Sequence, residues 1–219
     1  MGKEINLLID YPRTKRDTKL RSLNKSIEDQ MIARKFDKDF FDGDRRHGYG
    51  GFKYHPKYWQ PVIPTFIKHY NLSNKSSILD VGCAKGFMIY DFIQLLPGLK
   101  IKGIDISEYA IKNSLDSIKE NISVADACSL PFEDNTFDLV ISITTIHNLE
   151  IDKCKLALQE IERVSKLSSF ITVDAYNDDL QKEEMLNWNL TAKTILHVEE
   201  WKDLFEKVGY TGDYYWFMP

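Results

Sequence analysis

The stretch Ile78-Leu79-Asp80-Val81-Gly82-Cys83-Ala84-Lys85-Gly86 carries the most legible chemistry in the chain: an apolar run ends on an acid and passes into a turn of small residues. Gly82 and Gly86 allow a tight turn and let backbone approach a ligand with no Cβ in the way. A helix starting near Phe87 then aims its free N–H groups at that ligand. A dinucleotide-binding loop needs G-x-G-x-x-G, which exposes the helix N-terminus to a diphosphate. Here the spacing is G-x-A-x-G, and Asp80 stands two residues ahead of the first glycine. A carboxylate aimed at the loop repels a diphosphate and suits a cationic amino-acid ligand, which disfavours an NAD-dependent oxidoreductase.

Asp105 in GIDIS and Asp126 in VADACSLPF repeat the theme of an acid closing an apolar run. Taken singly, such an Asp is often a turn former or helix cap. His147, in SITTIHN, has the side chain that titrates near neutrality and can serve as a general base, or it can simply pack. In the N-terminal part, Arg45, Arg46, His47, Tyr49, Lys53, Tyr54 and Tyr58 are interleaved with Gly48, Gly50 and Gly51.

These residues need elements to hold them. From Ser76 onward short β-rich runs alternate with helical ones: strands over 76–81, 100–106, 122–126, 137–143, 169–175 and 214–218, and helices over 87–96, 108–119, 152–166 and around Trp201–Val208. The last helix places Trp201, Leu204, Phe205 and Val208 on one face, with Gly209 at its C-cap. Such alternation predicts a doubly wound α/β fold with a mostly parallel sheet. Residues 1–75 break the rhythm and read as a helix over 18–36, an aromatic Gly-rich loop and a helix over 61–70. The expected organisation is a cap of residues 1–75 on a core of residues 76–219, a single domain overall.

Composition narrows the classes. Hydrophobic residues make up 43% and charged ones 28%, as in ordinary globular chains. No apolar run approaches the roughly 18 residues needed to span a bilayer, and the first residues are too acidic for a signal peptide. Asn6 fails the myristoylation pattern. A cytoplasmic protein with no membrane partner is expected. Cys83, Cys128 and Cys154 lack CxxC spacing, so neither a disulfide framework nor a metal site is expected. The net charge of −4 gives nucleic acid no support as a partner, although residues 1–55 hold 13 Lys/Arg against 9 Asp/Glu.

Together these motifs resemble the core of class I S-adenosylmethionine-dependent methyltransferases of the small-molecule type, over residues 76–174. The family's first motif, (D/E)-x-G-x-G-x-G, is matched by Asp80, Gly82 and Gly86, with Ala84 in place of the middle glycine. The resemblance implies S-adenosyl-L-methionine as cofactor and S-adenosyl-L-homocysteine as product. It implies that Asp105 accepts hydrogen bonds from the ribose hydroxyls and Asp126 from the adenine amino group. Cys83, Ala84, Ile106 and Ala127 would complete the cofactor's surroundings. It further implies that the segment Ser142–Asn148 lies beside the transferred methyl, with His147 as candidate base and Thr144 and Asn148 as substrate contacts. In related enzymes the segment before the core forms a cap. Here that segment becomes an expected lid, with Tyr49 near the cofactor, Arg45 and Arg46 gripping an anionic group, and Tyr54 beside the substrate.

The expected function is methyl transfer to an O, N or S atom of a small, anionic molecule, by a monomer or homodimer. A protein or peptide methyltransferase and a non-catalytic cofactor-binding subunit remain the alternatives at this stage. The family usually ends in an antiparallel strand pair, whereas Tyr214–Met218 is followed here by Pro219 alone. Either 194–198 supplies a short strand, or the aromatic edge contacts a second copy.

Overall fold

The computed structural model describes residues 2–13, 16–50 and 52–219. Short helices come first: α1 (Thr18–Leu23), α2 (Ile27–Ala33) and α3 (Lys38–Asp42). The single helix expected over 18–36 is divided because Ser26 and Asp29 cap each other reciprocally and start a new helix. Phe36, with φ of 51°, then ends it. A single turn at Arg45–His47 precedes α4 (Ile63–His69), which carries Pro64 in its first turn.

The sheet follows as β1 (Ser77–Val81), β2 (Lys100–Asp105), β3 (Ile122–Val124), β4 (Phe137–Ile143), β5 (Ser165–Tyr176), β6 (Leu196–His197) and β7 (Asp213–Phe217). The intervening helices are α5 (Phe87–Leu95), α6 (Glu108–Lys112), α7 (Ile151–Val164), α8 (Asp179–Trp188) and α9 (Val198–Val208). The strand order is β3-β2-β1-β4-β5, with β6 and β7 both paired to β5, and every pairing is parallel. The doubly wound α/β class read from the sequence is the fold observed. The sequence offered no sign of α8: in DLQKEEMLNW only Met185 is buried, and Asp178 sets its start by capping Gln181.

Strand alternation divides the core. Leu79, Val140 and Ile171 face one cluster with Cys154, Leu158, Trp201 and Phe205, while Ile78, Ile141 and Phe170 face another with Phe66, Ile89 and Phe92. The expected amphipath is α9; Trp201 and Phe205 are fully buried, and truncating either to Ala removes about 3–5 kcal/mol of stability. Gly209 closes it at φ 75°. A third cluster joins the cap to the core through Ala33, Phe40, Phe41, Ala110 and Leu190.

The last strand is not a bare aromatic edge. Tyr214 and Trp216 are buried, and on its other side Tyr214 donates to Lys3 O (3.0 Å) and accepts from Ile5 N (2.9 Å). The short strand looked for within 194–198 is β6.

Candidate active site

Parallel strands end together, and the loops beyond their carboxyl ends form the crevice where open α/β sheets bind ligands. On β1 the two-residue period turns Asp80 to the face of Ile78, and its side chain ends up 5% exposed at the mouth of the Gly-rich loop. No donor reaches its carboxylate among the described residues. Burial, then the neighbouring charge of Asp105, push its pKa up to about 7.

The loop is drawn across to β2 by the N–H groups of Gly82 (2.8 Å) and Cys83 (2.9 Å), which both donate to Ile104 O. Gly82 has φ of 84°, and a Cβ there would collide with Thr145. Ala84, standing where the motif has glycine, also has positive φ, at 50°. That conformation costs an alanine about 1 kcal/mol, and it is secured because Ala84 N donates to Asp105 Oδ2 at 2.8 Å. Asp105 Oδ1 accepts from Ser107 N, also at 2.8 Å. A carboxylate offers about four lone-pair positions, so this one, 8% exposed, keeps acceptor capacity facing the crevice. Burial raises its pKa against these bonds. Ile106, beside it, is 57% exposed. Asp126 is exposed, with Oδ1 accepting from Cys128 N (2.8 Å), and Ala127 packs on the core edge.

One loop residue goes unmentioned by any motif. Lys85 is 6% exposed, and its ammonium donates to both carboxylate oxygens of Asp42 (2.8 and 2.7 Å) and to Phe52 O (3.1 Å). Tyr109 OH donates to the same Asp42 at 2.8 Å. The cap is thereby fastened directly to the Gly-rich loop.

At the neighbouring strand ends, Thr144 takes φ of 50° and donates from its N–H to Thr172. Asn148 Nδ2 donates to Thr144 O (3.2 Å), while its buried Oδ1 has no donor. His147 is 3% exposed; its Nδ1 accepts from Asp174 N at 3.0 Å, which leaves the ring proton on Nε2, facing Asp174 Oδ1 at 3.5 Å. Burial drives the pKa of His147 down to about 3, so the ring is neutral at physiological pH. Asp174 itself is 5% exposed, burial pushes its pKa up to about 7, and Arg16 pulls the other way. It sits near the carboxyl end of β5 as Asp80 and Asp105 do on β1 and β2, with Asp126 just beyond β3; the same end-of-strand rule, applied once more to SFITVDA, finds it.

The cap residues are distributed unevenly around these strands. Tyr49 stacks on Trp188 (centroids 5.8 Å apart) and its hydroxyl accepts from Leu190 N (2.7 Å) and Thr191 N (3.3 Å), so it sits on the β5 side. Arg45 donates to Gly48 O, to which Arg21 also donates at 3.3 Å. Arg46 is exposed and pairs with Asp44 (3.2 Å). Tyr54 turns to α5 and donates to Asp91 (2.7 Å). Arg16 and Arg21, which no motif marked, reach the same side as Tyr49. Of the expected lid loop, Gly51 lies outside the described residues.

A sequence profile described as "Methyltransferase domain" matches residues 72–209. The tRNA (carboxymethyluridine(34)-5-O)-methyltransferase of Arabidopsis thaliana is 33% identical over 144 residues, covering 64% of this chain and 33% of that protein. The malonyl-[acyl-carrier protein] O-methyltransferase of Legionella pneumophila is 29% identical over 133 residues, covering 59% and 46% respectively. The chain therefore spans a third to just under half the length of these two relatives. Among solved structures, phospholethanolamine N-methyltransferase 2 of Haemonchus contortus, in complex with phosphomonomethylethanolamine and S-adenosylhomocysteine, shares the fold. Its TM-score is 0.60 at 19% identity, over 81% of this chain and 44% of that one.

Proposed function

The chain belongs to the class I S-adenosylmethionine-dependent methyltransferases, and on that premise we propose that it methylates an O, N or S atom of a small, anionic molecule. The cofactor is S-adenosyl-L-methionine, and the residues at the crevice fit it. The observation that carries the assignment is the junction of β1 and β2, where a buried, partnerless Asp80 stands beside an Asp105 tied to the turn at Ala84. A carboxylate buried without a donor suits the cofactor's ammonium group. Asp105 would take the ribose hydroxyls, with Ile106 against the sugar and base. Asp126 and Ala127 would meet the adenine edge, and Gly82, Cys83, Ala84 and Gly86 would line the turn. Bound there, the cofactor supplies a methyl carbon made electrophilic by its positive sulfur.

The protein's part is then to position the acceptor, exclude water and hold a proton. The cap excludes water through Lys85–Asp42. His147, expected as the base, has Nδ1 occupied by Asp174 N and its proton on Nε2 facing the Asp174 carboxylate, so it orients Asp174, and the proton-accepting role falls to that carboxylate, with Thr144 and Asn148 beside the acceptor. An anionic acceptor is supported by two guanidiniums with no carboxylate between them. Arg21 and Arg45 converge on Gly48 O, Arg21 has a buried Nε without an acceptor, and burial, then Arg45, lower its pKa. Arg46 would assist from the rim, and Tyr54 would brace the cap. A small molecule is favoured over a nucleic acid or polypeptide because the cap closes directly on the loop. The cytoplasmic setting and a monomer or homodimer belong to the same proposal; among the described residues no helix is long and apolar enough to cross a membrane.

Calorimetric titration with S-adenosylmethionine and S-adenosylhomocysteine, on wild type and Asp105→Ala, tests the cofactor site. Micromolar binding that the variant loses is the expected result. A folded wild type that binds neither would overturn it. Unchanged turnover and saturation in both Arg45→Ala and Arg46→Ala would remove the anionic grip.

A further inference from the structure

The acceptor side holds a second kind of recognition. In register, Asp174 of β5 pairs with Phe217 of β7, so both side chains leave the sheet on one face, opposite the helical layer of α7 and α9. Trp188, at the end of α8, lies on the other side of Arg16 from the Phe217 ring, within reach of the same guanidinium. The guanidinium of Arg16 lies between the two rings, 4.7 Å from the centroid of Phe217 and 5.2 Å from that of Trp188. Arg21 also lies over Trp188, 5.6 Å from its centroid, but unlike Arg16 it is anchored by hydrogen bonds to Arg45 O (3.1 Å) and Gly48 O (3.3 Å). Among the described residues Arg16 makes no hydrogen bond and no ion pair, so the rings and the fields of Tyr11 and Asp174 retain it.

Two aromatic faces next to a buried carboxylate select a cation. The rings attract positive charge through their quadrupoles, and a buried carboxylate faced only by a neutral ring N–H at 3.5 Å among the described residues is best satisfied by a charged N–H group. Neither requirement is met in full by Arg16: it stacks, but it does not come within ion-pair distance of Asp174.

We propose that Trp188, Phe217 and Asp174 form a subsite for a protonated nitrogen group, guanidinium or ammonium, of the acceptor, and that Arg16 is a resident surrogate which the acceptor displaces. The inference rests on the methyltransferase reading and narrows its substrate class. The acceptor carries an anionic group toward Arg21 and Arg45 and a cationic nitrogen toward Asp174. Tyr49, stacked on the outer side of Trp188, fixes that ring.

The test uses methylguanidinium chloride as the probe, with neutral methylurea as its control, and follows the Trp188 indole N–H resonance. Arg16→Ala is expected to bind methylguanidinium saturably at millimolar concentration, with wild type at least tenfold weaker because Arg16 must leave first. The double variant Arg16→Ala, Asp174→Asn is expected to lose at least tenfold relative to the single variant, and methylurea is expected not to saturate any of them. A titration of Arg16→Ala that shows no saturation, in protein that unfolds at the wild-type temperature, would overturn the subsite. Equal affinity in the single and double variants would overturn the role of Asp174. Calorimetry with S-adenosylhomocysteine on the same samples separates the two readings: its binding reports only the methyltransferase assignment and is expected to be unchanged by either substitution.

Discussion

Two halves of the crevice solve similar problems with different materials. At the ends of β1 and β2 a buried Asp80 waits without a donor; near the end of β5 a buried Asp174 is faced only by the neutral ring N–H of His147 at 3.5 Å among the described residues, and burial pushes both toward about 7. The first half is built from backbone: a turn with positive φ at Gly82, Ala84 and Gly86, sewn to Ile104 and Asp105 by N–H groups. The second is built from side chains gathered from Arg16, Tyr49, His147, Trp188 and Phe217. Backbone geometry is specified within a few neighbouring residues, whereas a wall of side chains depends on contacts spread along most of the chain. The first half should therefore tolerate little change, and the second more, which is the difference the following substitutions test.

The comparison breaks most sharply at Gly82. Gly82→Val puts side-chain atoms where Thr145 stands, at a φ that valine resists. Binding of S-adenosylhomocysteine should fall below detection by calorimetry, with a lower unfolding temperature. Methylguanidinium binding in an Arg16→Ala background should survive if the halves are independent. Next in size, Asp105→Ala should weaken S-adenosylhomocysteine by roughly 100-fold, the loss expected when charge-assisted hydrogen bonds are removed. An unchanged affinity would mean that Asp105 serves only as the clasp for Ala84.

Asp174→Asn should act oppositely on stability and on recognition. The folded pKa of Asp174, about 7, lies above its ordinary value of 3.8, so the folded chain binds this proton more tightly. That favourable contribution is fully present below pH 3.8 and is lost as pH rises through 7. At pH 8 wild type carries an ionised, buried carboxylate that Asn does not. The variant should be more stable there by about 1–3 kcal/mol, under a ceiling of roughly 4 kcal/mol. The gap should narrow steadily toward pH 4 in urea unfolding followed across pH. A constant gap would show that the carboxylate is solvated. The smallest expected effect is at the clasp: Asp42→Asn leaves Lys85 with a neutral partner and should cost about 1 kcal/mol, seen as faster proteolysis within residues 16–50.

The same division explains what could be read from the sequence. The doubly wound sheet, the Gly-rich turn and the acids at Asp80, Asp105 and Asp126 were legible because each depends on residues within a few positions of one another. Helix α8 was not, since only Met185 of its ten residues is buried and no apolar stripe announces it. The role of Lys85 has no local signal, since its partner Asp42 is 43 positions away. Arg16 and Trp188 meet only because the cap folds back over β5, a tertiary event that no local spacing encodes. The stacking of Tyr49 on Trp188 and its bond from Leu190 N were not legible either, because that pairing depends on α8, the element the sequence concealed.

The cap is held at several distant places, among them Lys3 and Ile5 along β7, Asp42 on the Gly-rich loop and Tyr49 beyond α8. A segment tethered on both sides cannot diffuse away when one contact breaks. It stays at a high local concentration over the crevice and returns in a unimolecular step. If the Lys85–Asp42 contact opens for S-adenosylhomocysteine to leave, reclosure of the tethered strap competes with that exit, so loosening the contact should speed product release more than it alters encounter with fresh donor.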